Sequence, residues 1–227
     1  AVMAGHSLGE YTALVAAGVL RYEDALPLVR YRAEVMQSAV AEGVGAMAAI
    51  LGLDDDTVRA VCAEAAQGEV LEAVNLNSPG QVVIAGHKSA VERGMEAAKA
   101  KGAKRALPLP VSVPSHCALM KPAAEELARY IAGVPMTAGG IPVLHNADVT
   151  AYADPDKIKD ALVRQLYSPV RWVETVQHIH ADGILASAEC GPGKVLAGLT
   201  KRIVADLPCT ALTSIEAMEE ARTQFAR

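Results

Sequence analysis

The chain has 227 residues, 52% of them apolar, and a formal net charge of −5. This length can bury one large core, or a core that carries a smaller inserted domain. The acidic balance argues against a nucleic-acid-binding face, and no apolar run reaches the length of a membrane span. The four cysteines are scattered without metal-ligand spacing, which is typical of reduced thiols in a cytoplasmic protein.

The first 42 residues predict a strand, a sharp turn and two helices. Small apolar residues lead into Gly5, and helix-forming residues follow Gly9 at once. A second helix is predicted over about 24–41, with Asp24 as its N-cap and Pro27 in its first turn. The chain has no initiator methionine and opens like the end of a buried strand, so we expect an N-terminal segment to be missing from it.

Residues 44–112 have a different pattern, in the order βαββαβ. The predicted strands cover 45–51, 70–76, 81–86 and 104–110, and the predicted helices cover about 54–66 and 89–101. This order is that of the ferredoxin-like, or split βαβ, motif. It predicts a compact subdomain inserted into a larger α/β domain.

The remainder returns to an alternation of helices and extended segments. Helices are predicted after His116 to about 132, over 155–168, over about 170–180 and, as the last long helix, over about 194–204. Extended segments are predicted over 141–146 and 184–189. Residues 1–43 and 113–227 would together form the α/β core.

The spacing Gly5-x-Ser7-x-Gly9 is that of a nucleophile elbow. A tight turn from strand to helix needs small flanking residues and lifts the serine hydroxyl clear of the sheet. The first backbone N–H groups of the helix then point toward the same place, where the amide of Leu8 can stabilise an oxyanion. A chance match in a glycine- and serine-containing loop is the alternative, but the strand before it and the helix after it favour the elbow.

A serine nucleophile needs a base. His116 follows the predicted subdomain and precedes a helix, which is a junction where a loop residue can face a cleft. His145, at the end of an extended segment, is the second candidate. His6 adjoins the nucleophile, so its side chain should leave the turn in another direction. Cys117, beside His116, is an alternative nucleophile with a less favourable local setting than Ser7.

Two polar residues interrupt apolar helix faces. Arg32 lies within a stripe of apolar residues at helical spacing, namely Ala25, Leu28, Val29, Met36, Ala39 and Val40. A buried guanidinium needs an anion, either in an internal salt bridge or in a substrate carboxylate held by its two-pronged donor geometry. Gln165 shares a face with Ile158, Ala161 and Leu162, and is either a satisfied core amide or a neighbour of the active site.

Taken together, these motifs resemble those of the malonyl-CoA:acyl carrier protein transacylases of bacterial fatty-acid synthesis, which are similar to the acyltransferase domains of polyketide synthases. The resemblance covers nearly the whole chain. It rests on the ordered set Gly5–Glu10, Tyr31–Met36, Asn75–Gln81, Pro114-Ser115-His116, Gln165 and Gly191–Leu196.

The resemblance implies a role for each matched residue. Ser7 would carry the malonyl ester, and His116 would be its general base. Arg32 would pair with the malonyl carboxylate. Gln165 would orient His116 through its backbone carbonyl, and the Leu8 amide would supply half of the oxyanion hole.

Three further residues, His6, Met36 and Val195, are assigned to substrate binding. The glutamine segment that completes the family's oxyanion hole is not found in this sequence and would precede Ala1.

The implied activity is ping-pong malonyl transfer from coenzyme A, through Ser7, to the phosphopantetheine thiol of acyl carrier protein. The implied fold is an α/β-hydrolase-like core with a parallel sheet, interrupted by the ferredoxin-like subdomain. We expect a cytoplasmic monomer that needs no metal or redox cofactor and binds neither nucleic acid nor membrane. The carrier protein is acidic in this family, so we expect it to dock on Lys104-Arg105 or Lys201-Arg202.

Two alternatives belong to other functional classes. A serine esterase or thioesterase would use the same elbow, but a simple esterase has no use for Arg32 in its acyl pocket. A scaffold protein that keeps the fold without catalysis is disfavoured by the intact set of Ser7, His116 and Arg32.

Overall fold

The computed structural model describes residues 1–111 and 113–225. It divides into two compact units, Ala1–Trp172 and Val173–Arg227. The strands are β1 (Met3–Ala4), β2 (Gly45–Leu51), β3 (Leu71–Ser78), β4 (Gln81–His87), β5 (Arg105–Pro108), β6 (Val143–Leu144), β7 (Ser187–Glu189) and β8 (Cys209–Ala211). The helices are α1 (Leu8–Ala16), α2 (Tyr22–Ser38), α3 (Asp55–Ala66), α4 (Lys88–Ala100), α5 (Lys121–Ile131), α6 (Pro155–Gln165), α7 (Trp172–Ala181), α8 (Val195–Ile203) and α9 (Ile215–Phe225), with a 3₁₀ turn at Ala118–Met120.

A four-stranded antiparallel sheet forms one part of the first unit, with strand order β3-β4-β2-β5. The helices α3 and α4 pack against it over an apolar cluster that includes Ile50, Val58 and Ile84. Asp54 caps α3, since its side chain accepts a hydrogen bond from the backbone N–H of Thr57 at 2.8 Å.

The rest of the first unit combines a short parallel strand pair with helices. Strand β1 pairs with β6 in parallel, and α1, α2, α5 and α6 enclose the largest apolar cluster. The face of α5 that joins this cluster carries buried residues at helical spacing, namely Ala123, Ala124, Leu127 and Ile131. This cluster supports the start of α1, where the candidate nucleophile lies.

The second unit contains the parallel pair β7–β8 and the helices α8 and α9. Its buried residues include Leu199, Leu207 and Ala221. None of the helices in the described part of the chain combines the length and the apolar character that a membrane span needs.

All six elements predicted for the four-stranded sheet region, residues 45–108, are present, and β2 has the predicted ends. The mixed α/β class is confirmed, with both parallel and antiparallel strand pairs. The predicted division at residues 43/44 and 112/113 is not the boundary between the two compact units, and it stays a prediction.

Two predictions about helices are wrong. Helix α2 begins at Tyr22 with Arg21 as its N-cap, so Pro27 lies in its second turn. Asp24 is instead a first-turn acid, where its charge suits the helix dipole, and its carboxylate accepts a bond from Arg21 Nε at 2.6 Å. The helix near 194–204 is not the last element, because β8 and α9 follow it; β8 is only three residues long and leaves a weak periodic signal.

Candidate active site

The candidate nucleophile lies on a strained turn between β1 and α1. Ser7 has φ 51° and ψ −109°, a conformation that side-chain-bearing residues rarely adopt. A Cβ on Gly5 would lie 2.0 Å from the carbonyl carbon of Gly9, so only glycine fits there. A Cβ on Gly9 would meet no atom within 4 Å outside its own helix. The steric requirement predicted for both glycines therefore applies to the first.

The turn brings Ser7 to a histidine 109 residues away. Ser7 Oγ lies 2.8 Å from His116 Nε2, and His116 Nδ1 lies 2.7 Å from the backbone carbonyl oxygen of Gln165. A carbonyl can only accept, so Nδ1 carries the proton and Nε2 is free to accept from the serine. The backbone of His116 also has a positive φ of 66° and donates to the carbonyl of Leu166 at 2.9 Å.

Burial keeps this histidine neutral. His116 is 3% exposed, and burial lowers its pKa to about 3, with the positive charge of Arg32 acting in the same direction and the bond to the Gln165 carbonyl opposing it. A neutral imidazole is the form that can take the serine proton.

Arg32 points at the same pair. Its Nη2 donates to Ser7 Oγ at 3.1 Å and to Gln165 Oε1 at 3.0 Å. The residue is 7% exposed, and its guanidinium carbon lies 5.6 Å from the centroid of the Tyr11 ring. Among the described residues no carboxylate forms an ion pair with Arg32, and its buried Nε has no hydrogen-bond partner. The internal salt bridge considered from the sequence is therefore absent from this part of the chain.

A polar network behind the serine was not predicted from the sequence. Asn146 Oδ1 accepts from the backbone N–H of Ser7 at 2.7 Å, and its Nδ2 donates to the carbonyl of Gly5 at 2.7 Å. Glu10 accepts from the Asn146 backbone N–H at 2.9 Å and lies 2.6 Å from His145 Nδ1. The sequence feature that could have indicated this network is Glu10, an acidic residue within the largely apolar helix α1.

The remaining assigned residues lie in different settings. His6 turns away from the reacting pair, with Nε2 2.8 Å from Asn77 Oδ1, and burial lowers its pKa. Met36 belongs to the apolar cluster beneath α1 and α2. The Leu8 side chain is 53% exposed, and within the described ranges its amide has no hydrogen-bond acceptor. Val195 begins α8 in the second unit and is exposed.

The two alternative residues fit the chemistry less well. Cys117 is fully buried and donates to the carbonyl of Pro114 at 3.1 Å, and burial raises its pKa to about 12. A thiol with such a pKa is not a nucleophile near neutral pH. His145 is buried against Glu10 rather than beside Ser7.

Two other predictions concern the surface and metal binding. Lys104 and Arg105 are exposed in the first unit, and Lys201 and Arg202 are exposed in the second. Within the ranges described, no group of three His, Cys, Asp or Glu side chains is arranged to hold a metal ion.

Comparison with known proteins agrees with this geometry. The family model described as the acyl transferase domain matches residues 1–226. The chain is 60% identical over 221 residues to the malonyl CoA-acyl carrier protein transacylase of Escherichia coli, covering 97% of this chain and 72% of that protein.

Solved structures give the same result. The malonyl CoA-acyl carrier protein transacylase of Coxiella burnetii superposes with a TM-score of 0.98 at 48% identity, covering 100% of this chain and 72% of that one. A malonyl-transacylase in complex with a type II polyketide synthase acyl-carrier protein superposes with a TM-score of 0.96 at 54% identity, covering 98% of this chain and 72% of that one. The chain belongs to the acyl transferase domain family.

Proposed function

We propose that this chain transfers the malonyl group of malonyl-CoA, through an ester on Ser7, to the phosphopantetheine thiol of acyl carrier protein. The observation that carries the proposal is the meeting of Ser7 Oγ with both His116 Nε2, at 2.8 Å, and Arg32 Nη2, at 3.1 Å. This arrangement places the serine nucleophile within hydrogen-bond distance of both its base and a buried cation. The name of a relative that is 60% identical over 221 residues supports the same substrate and acceptor.

In the first half-reaction, His116 Nε2 takes the proton of Ser7 Oγ while the oxygen attacks the thioester carbonyl. The amide of Leu8, which has no acceptor among the described residues, is suited to donate to the developing oxyanion. The thiol of coenzyme A then leaves with the proton from His116. In the second half-reaction the carrier thiol attacks the ester, and His116 accepts its proton and returns it to Ser7.

Arg32 supplies the preference for a dicarboxylic acyl group. Its Nη2 already bonds Ser7 Oγ, while its Nε has no partner among the described residues. A malonyl ester on Ser7 places a free carboxylate within reach of this fork, and a guanidinium binds a carboxylate with two parallel hydrogen bonds. His6 and Met36 are proposed to line the acyl site, and Val195 is proposed as a further substrate contact.

The finer fold assignment is also a proposal. The strand order β3-β4-β2-β5 with two helices packed on the sheet supports a ferredoxin-like subdomain over 44–112. The strand–elbow–helix at Ser7 and the parallel β1–β6 pair support an α/β-hydrolase-like core.

We further propose that the protein is a cytoplasmic monomer and that it needs no metal or redox cofactor. Its acidic carrier protein would dock on Lys104-Arg105 or Lys201-Arg202.

Mass spectrometry of the full-length protein mixed with malonyl-CoA tests the proposal. We expect one malonyl adduct that maps to Ser7, persists in water, and disappears when holo-acyl carrier protein is added. The Ser7→Ala variant should form no adduct, because Cys117 is buried and its pKa is raised to about 12. Rapid loss of the adduct to water without a carrier would favour the esterase or thioesterase alternative. An adduct on the Ser7→Ala variant would overturn the assignment of the nucleophile.

A further inference from the structure

Glu10 is a buried carboxylate that touches none of the reacting atoms. It lies in the first turn of α1 and is 0% exposed. A carboxylate in such a place is costly unless its oxygens are hydrogen-bonded. Oε2 accepts from the Asn146 backbone N–H and from Gln165 Nε2, both at 2.9 Å, and Oε1 lies 2.6 Å from His145 Nδ1.

One arm of this network holds the nucleophile turn. The backbone N–H that Glu10 binds belongs to Asn146, whose side chain bonds the Ser7 N–H and the Gly5 carbonyl. The first residue of the elbow and its serine are thus tied to one side-chain amide. Because Ser7 has a strained φ of 51°, its position depends on such external restraints.

The other arm holds the base and the cation. A carboxylate only accepts, so the NH₂ group of Gln165 must face Glu10 and its Oε1 must face Arg32. Gln165 Nε2 also donates to the Ser7 carbonyl at 3.0 Å. The backbone carbonyl of Gln165 orients His116. Without the carboxylate, the amide can turn and present its NH₂ group to the guanidinium.

We propose that Glu10 is a positioning residue that holds Ser7, His116 and Arg32 in register through Asn146 and Gln165. The proposal rests on the proposed function only in that Ser7 is the nucleophile. The two arms meet on a single oxygen, Glu10 Oε2. Removing that oxygen should therefore loosen the nucleophile and its base at the same time.

Methanesulfonyl fluoride is a suitable probe because it has no carboxylate and needs no carrier protein. Ser7 Oγ forms a bond to sulfur, the sulfur–fluorine bond breaks, fluoride leaves, and the serine proton passes to His116. The rate of this reaction therefore reports how well Ser7 and His116 are placed, with no contribution from a substrate carboxylate. It is measured on the full-length protein together with the melting temperature of each variant.

Three variants separate positioning from stability. Glu10→Ala removes both arms. Glu10→Gln keeps an oxygen for Asn146 and Gln165, and its new NH₂ group can donate to His145 if that ring takes its other tautomer. Leu14→Ala is the matched control, because Leu14 lies one turn further along α1, is 0% exposed and contacts the core rather than the site.

We expect Glu10→Ala to slow sulfonylation about 10- to 100-fold, as a misplaced reacting group does. Glu10→Gln should stay within about threefold of the wild type, since the hydrogen bonds to Oε2 survive. Leu14→Ala should lower the melting temperature and leave the rate unchanged. If Glu10→Ala does not fold, Asn146→Ala, which cuts the nucleophile arm alone, should show a loss in the same range.

The role of Glu10 would be overturned if a folded Glu10→Ala or Asn146→Ala variant were sulfonylated at the wild-type rate. It would also be overturned if the sulfonylation rate of Glu10→Gln fell as far as that of Glu10→Ala. Failure of the wild type itself to be sulfonylated at Ser7 would instead count against the nucleophile assignment, and the role of Glu10 would fall with it.

Discussion

The four-stranded sheet region, residues 45–108, and the residues around the elbow use burial in opposite ways. The interior of the sheet region is apolar, and in the described residues its buried polar side chains are Asn77 and Ser78, at the end of β3. Around the elbow the buried set includes two charged residues and several hydrogen-bonding ones, namely Glu10, Arg32, His116, His145, Asn146 and Gln165. One region buries apolar surface for stability, and the other buries polar groups for chemistry.

The two regions also differ in the use they make of residues with positive φ. Ser7 and His116 both have positive φ values, 51° and 66°, and both belong to the reacting pair. In the sheet region the non-glycine residue with positive φ is Gln67, which ends α3 as a left-handed C-cap. Strain beside the elbow is thus held by surrounding contacts, whereas in the sheet region it serves to end a helix. Variants in the two regions should therefore affect different measurements.

The largest effect is expected for Arg32. Removing one partner of a desolvated charge-assisted pair costs about 2–5 kcal/mol, so Arg32→Ala should lower kcat/KM for malonyl-CoA about 30- to several-thousand-fold. Transfer from acetyl-CoA, which leaves no carboxylate unpaired, should be kept or improved. Arg32→Lys should recover little, since a point charge cannot replace the fork. Equal losses for both substrates would make Arg32 a structural residue.

A smaller effect is expected for the exposed cations. Reversing the charges of Lys104 and Arg105, or of Lys201 and Arg202, should raise KM for acyl carrier protein about tenfold and weaken its salt dependence. KM for malonyl-CoA should change little. The double variant Lys88→Glu/Lys157→Glu, at two other exposed lysines, controls for the change of four units in net charge. If neither pair alters KM for the carrier protein, the docking face lies elsewhere.

The pH dependence should show how strongly burial acts near the elbow. The pKa of His116 is lowered to about 3, against about 6.5 in the unfolded chain. The base therefore stays neutral at lower pH, and the rate of Ser7 acylation should vary by less than about twofold between about pH 7 and pH 5. A rate that halves near pH 6.5 would show that His116 titrates normally.

The same pKa shift affects stability. Below about pH 6.5, His116 of the unfolded chain binds a proton, whereas native His116 stays neutral until the pH approaches 3. The free energy of unfolding therefore falls as the pH is lowered from about 6.5 toward 3. The melting temperature of the wild type should therefore fall more steeply over this range than that of His116→Asn.

The smallest effect on transfer is expected in the sheet region. Ile84 is 0% exposed within its apolar cluster, so Ile84→Ala should lower the free energy of unfolding by about 2–5 kcal/mol. The malonyl transfer rate per folded molecule should not change. Denaturant titration and active-site titration measure the two quantities separately. A fall in transfer that exceeds the loss of folded protein would mean that the two regions are coupled.

Features that depend on neighbouring residues could be predicted from the sequence. The ends of β2, the Asp54 cap and the turn at Ser7 follow from short stretches of chain, because capping, alternation and glycine conformations are local. The start of α2 was predicted wrongly because Glu23 and Asp24 both suit a first turn, so an acidic residue at this place does not identify the N-cap. The short strand β8 was missed because three residues give no clear period.

Ser7, His116, Arg32 and Gln165 were thus candidates that the sequence alone could name. Their meeting required the tertiary structure, since 109 residues separate Ser7 from His116 and 158 separate it from Gln165. Only packing decided that Glu10 is buried beneath the elbow. Packing also decided the tautomer of His116 and lowered its pKa. Both properties depend on burial and on the direction of hydrogen bonds, and no local sequence pattern brings the groups concerned together.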